Sequence, residues 1–158
     1  MSLSRRDFLR CAAGLAAAGL AAPRLLAQPR FASYPYALGV ASGYPTADGV
    51  VLWTRLAPEP LTGGGMPPAL VEVGWELASD EDFRRIVRRG TEIAAPEWAH
   101  SVRAEVSGLE PAHRYFYRFH AGGAVSPVGR TRTAPAAGAA VDRLRFAFAS
   151  CQQYEQGY

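Results

Sequence analysis

Lysine is missing from this sequence: all 17 basic side chains are arginine. The stretch Gly39-Val40-Ala41-Ser42-Gly43 therefore has neither the lysine nor the following helix that a phosphate-cradling loop requires, and it reads as a strand end with a turn. We attribute the all-arginine usage to genomic composition bias. Cysteine is scarce, with two residues in 158. Cys11 lies in the N-terminal stretch, so Cys151 stands alone in the rest of the chain. No intrachain disulfide can form there, although small exported β domains often rely on such staples. Histidine occurs three times, as His100, His113 and His120, never with a partner at metal-ligand spacing. All three are expected at surface or satisfied structural positions. The apolar run at residues 11–22 is weak, alanine-rich and well short of the roughly 20 residues that cross a bilayer. No nucleophile–base pair is visible in the sequence.

The N-terminus is informative. Ser4-Arg5-Arg6-Asp7-Phe8-Leu9-Arg10 sets two arginines ahead of a bulky apolar pair, and Pro23-Arg24-Leu25-Leu26-Ala27 ends on a small residue before Gln28. A charged start, a short apolar middle and a small-residue exit make a signal peptide. The paired arginines mark the subclass that exports folded cargo. Residues 1–27 are expected to be a twin-arginine signal, with the twin-arginine translocase as partner during export and a periplasmic or secreted destination. Cys11 follows Phe8-Leu9-Arg10, where a lipid-acceptor site would want small residues, so no stable membrane anchor is expected. The segment holds four arginines (Arg5, Arg6, Arg10, Arg24) and one acid (Asp7), leaving 13 basic and 13 acidic side chains in the other 131 residues. The net charge of +3 thus belongs to the signal. Nothing in the remainder points to a nucleic-acid footprint or a membrane-surface patch.

From Tyr36 onward, short apolar segments alternate with turn residues, which predicts an all-β sandwich. Strands are expected at Ala37–Ala41, Gly49–Arg55, Val71–Leu77, Ile86–Ile93, Ser101–Val106, Tyr115–Phe119 and Val125–Thr133. Their number, about seven, suits an immunoglobulin/fibronectin type III-like sandwich. Val71, Val73, Trp75 and Leu77 fall on one face by period two. Ser79-Asp80-Glu81-Asp82-Phe83 predicts a single helical turn capped by Ser79. Arg84, Arg85, Arg88 and Arg89 follow those acids and are expected to pair with them or to form a solvated face. The stretch Pro58–Pro68, with Gly63-Gly64-Gly65, reads as a surface loop. Trp53, Trp75 and Trp98 read as core and edge packing. Leu109-Glu110-Pro111 followed by Tyr115 has the spacing of a tyrosine corner, in which the phenol bonds back to nearby backbone.

Residues 135–142 read as a small-residue linker. Beyond it, Leu144-Arg145-Phe146-Ala147-Phe148-Ala149-Ser150 predicts a new strand ending at Cys151. A lone strand cannot satisfy its ladder, so residues 143–158 are expected to open a second domain. Cys151 at the carboxyl end of a strand stands where open α/β folds place ligand and metal groups. Taken alone, a free cysteine is more often an inert buried thiol.

Several motifs together resemble the N-terminal part of the alkaline phosphatase D (PhoD-like) family. They are Leu38-Gly39-Val40-Ala41-Ser42-Gly43, Val51-Leu52-Trp53-Thr54-Arg55-Leu56, Ser107-Gly108-Leu109-Glu110-Pro111, Val128-Gly129-Arg130-Thr131-Arg132-Thr133 and Phe148-Ala149-Ser150-Cys151-Gln152. The twin-arginine start fits the family as well. The resemblance implies a sandwich at 28–134, followed by an α/β calcineurin-like domain that hydrolyses phosphate monoesters and diesters with iron and calcium. It implies Cys151 as an iron ligand. The family's remaining aspartate, asparagine and histidine ligands have no counterpart here, so the chain is expected to be a truncated member, inactive alone and binding no metal by itself. A phosphate-ester substrate is expected for the full-length protein only, and a monomer is expected. The rival readings are a stand-alone fibronectin-like module that binds a wall polymer or a protein partner, and a structural spacer. An apolar strand with a thiol at its tip suits neither, because it would risk edge pairing.

Overall fold

The computed structural model describes residues 29–143 together with 145 and 147. The twin-arginine segment, Cys151 and most of the expected strand at 144–150 lie outside the described residues. Among the described residues eight strands form: β1 (Val40–Gly43), β2 (Val50–Arg55), β3 (Val71–Ala78), β4 (Ile86–Ala94), β5 (Ser101–Val106), β6 (Arg114–Ala121), β7 (Ala124–Val125) and β8 (Gly129–Arg132). A short 3₁₀ turn, Pro96–Trp98, joins β4 to β5. One sheet has the order β1-β2-β5. The other has the order β4-β3-β6, with β7 and β8 both paired to β6. All pairings are antiparallel. The result is an immunoglobulin/fibronectin type III-like sandwich, as the strand count predicted.

Period-two patterning explains the core. Val50, Leu52 and Thr54 of β2 point inward, as do Val102, Ala104 and Val106 of β5. From the facing sheet come Val71, Val73, Trp75 and Leu77 of β3 and Tyr115, Tyr117 and Phe119 of β6. Leu52, Leu77 and Phe119 have no exposed surface, and each such side chain contributes about 1.5–3 kcal/mol by leaving water. Three glycines in the larger sheet lie directly across the ladder from a ring. Gly74 faces His120, Gly90 faces Trp75, and Gly129 faces Tyr117. In each pair the ring fills the space a β-carbon on the glycine would occupy.

The structure departs from the sequence reading in four places. Strand β1 starts at Val40 rather than Ala37, because Gly39 turns the chain with φ +73 and donates its N–H to the Tyr36 carbonyl. The expected strand Val125–Thr133 is split into β7 and β8, since Pro127 has no N–H for the ladder. Ser126 bridges that gap: its N–H donates to the Phe119 carbonyl and its hydroxyl accepts the Phe119 N–H. The predicted helical turn at Ser79–Phe83 is a tight turn closed by Phe83 N–H on the Asp80 carbonyl. Asp80, not Ser79, is its cap, its carboxylate accepting the N–H groups of Arg84 (3.0 Å) and Arg85 (2.8 Å). Trp98 is 74% exposed rather than packed, because it sits on the 3₁₀ turn beyond the end of β4.

Candidate functional site

The sandwich has two ends. At one end lie the N-terminal segment and the β2–β3, β4–β5 and β6–β7 connections. At the other lie the β1–β2, β3–β4 and β5–β6 connections and the point where the chain leaves β8. This exit is tightly made. Tyr115, buried in β6, turns its hydroxyl back to accept the Glu110 N–H at 2.9 Å, so the predicted tyrosine corner forms. Thr133 donates its hydroxyl to the Glu110 carbonyl (2.6 Å) and accepts the His113 N–H (3.0 Å). Both backbone groups of Glu110 are thus satisfied by side chains. Ala134 then donates its N–H to the Thr46 carbonyl (2.8 Å) and accepts from Ala112 (2.9 Å). The chain is held against the sandwich as far as Ala134 and released beside the β1–β2 loop. A following segment therefore starts from a fixed position and direction.

Beside this exit the outer face of the three-stranded sheet carries a groove. Its rows are set by register: Ala41–Trp53–Arg103 and Gly43–Val51–Glu105. Small residues on β1 leave Trp53 and Val51 only half-buried, and a depression of about 650 Å³ results, with Tyr44 on its rim. A second depression of about 320 Å³ shares Tyr44, Val51 and Glu105 with the first and reaches Thr46, the residue that holds Ala134. Tyr44 is 80% exposed, with φ +48, an uncommon conformation for a residue with a β-carbon. Sequence reading had assigned Trp53 to packing and passed over Tyr44. The available signal was the unbroken apolar run Val50-Val51-Leu52-Trp53, since a strand apolar on both faces is one whose two faces are both covered.

The histidines are spread apart. His100 is buried, its Nε2 3.0 Å from the Ala69 carbonyl. His113 lies 3.5 Å from the Glu110 carboxylate near the chain exit. His120 lies over Gly74 on the outer face of the larger sheet. The surface arginines behave largely as expected. Arg84 meets Asp82 at 3.2 Å, whereas Arg88 donates to the Ser107 and Gly108 carbonyls. Burial pushes the Tyr36 phenol well above its ordinary value, with neighbouring Tyr34 adding to the effect. Burial likewise raises Tyr117, against a weaker opposing effect of Ser42. Neither phenol is poised for proton transfer near neutral pH. Among the described residues, no group of three or more histidine, cysteine, aspartate or glutamate side chains could hold a metal ion.

Known proteins bear on this arrangement. The family described as "PhoD-like phosphatase, N-terminal domain" matches residues 19–135. Alkaline phosphatase D of Bacillus subtilis (strain 168) is 56% identical over 165 aligned residues, covering 99% of this chain and 28% of its own length. A solved structure of PhoD is similar with a TM-score of 0.77 and 64% identity, covering 82% of this chain and 25% of that one. The chain thus spans about a quarter of the length of the relatives it matches.

Proposed function

Because this chain belongs to the PhoD-like phosphatase family, of which it carries the N-terminal domain, we propose that it is the exported N-terminal part of a metal-dependent phosphate-ester hydrolase. The likeness to alkaline phosphatase D along nearly the whole chain supports this reading. In it the sandwich supplies placement. The exit at Thr133 and Ala134 fixes where the following segment leaves the sandwich.

Cys151 is proposed as an iron ligand. A thiolate is a soft donor suited to iron, and a neighbouring calcium would be held by oxygen donors. Two such metals would activate a water and clamp phosphoryl oxygens. The described residues do not fit such a centre by themselves, as they hold no cluster of donors. One thiolate cannot complete the coordination of two metals, so the remaining ligands belong to the longer protein. Twin-arginine export, in the folded state, would let the metals be selected before the protein meets extracellular competitors.

The test has two arms. The purified chain is assayed with p-nitrophenyl phosphate and its bis-ester in the presence of iron and calcium, and no turnover is expected. The gene is read past codon 158, where an open frame with aspartate-, asparagine- and histidine-bearing motifs is expected. Turnover by this chain would overturn its placement-only role. A stop codon would overturn the catalytic parent.

A further inference from the structure

The two outer faces of the sandwich differ in kind. That of the larger sheet carries Glu72 and an ion pair in which Arg118 meets Glu76 at 2.7 Å while its guanidinium lies 4.1 Å from the Phe83 ring centre. That face is polar along its middle, with Ile93 and Val125 exposed on its edge strands. The smaller sheet offers Ala41, Gly43, Val51 and Trp53, with Arg103 and Glu105 at the far side. An antiparallel sheet with one solvated face alternates apolar with polar residues, and β2 does not alternate. Tyrosine, tryptophan and arginine are the side chains that carry most of the affinity at protein interfaces.

We propose that the groove from Thr46 to Trp53 is the seat of the domain that follows this one in the longer protein. The proposal rests on the reading that such a domain exists. Three observations specify the occupant. The chain leaves the sandwich bonded to Thr46, at one end of the groove. The nine residues that follow Ala134, ending at Arg143, reach at most about 30 Å, and the six residues of β2 span about 20 Å. The groove therefore lies within reach of a domain tethered there. The relatives are also roughly four times as long as this chain, so the mass that follows is large enough to cover the whole face. Tyr44, held out by its left-handed backbone, stands between the exit and Trp53 and would be the first side chain enclosed.

The experiment compares this chain with the same chain extended at residue 143 by the corresponding remainder of Bacillus subtilis alkaline phosphatase D. Both are nitrated with tetranitromethane and mapped by mass spectrometry. Tyr34, 48% exposed at the opposite end, is the accessible standard, and Tyr117, 2% exposed, is the buried standard of a folded sandwich. The expected result is nitration of Tyr44 in the short chain, its loss in the extended one and its return in the extended Trp53→Glu variant. Tyr34 should react equally throughout. Undiminished nitration of Tyr44 in the extended protein overturns the proposal. Phosphate-ester hydrolysis is measured on the same sample. Activity with a reactive Tyr44 sinks the docking face alone, whereas protection without activity sinks the catalytic reading alone.

Discussion

Gly129 and Gly74 make similar pairs with very different neighbours. The ring over Gly129 is Tyr117, a core side chain with no room to move; the ring over Gly74 is His120, on the exposed face. Gly129→Ala should therefore cost about 1–3 kcal/mol, as an overpacked core position does. Gly74→Ala should stay within about 0.5 kcal/mol, because the imidazole can swing into water. Urea unfolding midpoints of the two variants decide this, and equal losses would refute the distinction. At Tyr115, removal of the hydroxyl strands the Glu110 N–H near the buried corner. Tyr115→Phe is expected to lose about 1–3 kcal/mol by the same measurement. Asp80 gives a pH signature. The Arg84 and Arg85 N–H groups, helped by the charges of those residues, hold its carboxyl below the usual value. A depressed carboxylate stabilises the fold above its unfolded pKa, and the benefit is lost as pH falls through the folded value. Wild-type protein should thus lose stability below about pH 4 more steeply than Asp80→Asn, in thermal melts recorded across that range.

At the scale of elements, the strands most legible in the sequence were those with one buried face. Val71–Leu77 and Ser101–Val106 alternate cleanly, and both are found with their predicted inner residues. The corner spacing from Leu109 to Tyr115 also predicted its hydrogen bond correctly. The split of the last strand was less legible, because its cause is a single residue, Pro127, and its remedy is a side chain. Ser126 restores what proline withholds by accepting the Phe119 N–H at 2.9 Å. Ser126→Ala should leave that donor unpaired beside the core and cost about 1–3 kcal/mol, with faster amide exchange at Phe119 by NMR. The turn after β3 shows why a cap is hard to place from composition. Ser79 and Asp80 are both good caps, and only the backbone path decides that Asp80 faces the free N–H groups. The groove was hidden for another reason: an apolar residue on β2 is equally consistent with either face until the register is known.

On the scale of the whole molecule, the sequence carried the fold class and the family, while the proposed chemistry rests on Cys151, outside the described residues. The strand that the sequence predicts from Leu144 onward bears on handling. A chain of residues 28–158 should be less soluble than one ending near Ala137, because an unpaired apolar strand invites association. Sedimentation and light scattering at matched concentration check this, and equal behaviour would count against the reading. The opposite placement of the chain's entry to and exit from the sandwich has a mechanical consequence. Tyr34 bonds to the Val125 carbonyl at one end of the strands, and Ala134 bonds to that of Thr46 at the other. A pull applied through both ends therefore runs along the strand axes, and the ladder bonds of β1 with β2 and of β8 with β6 take the load side by side. Under tension the sandwich acts as a tie, loaded in shear along its strands.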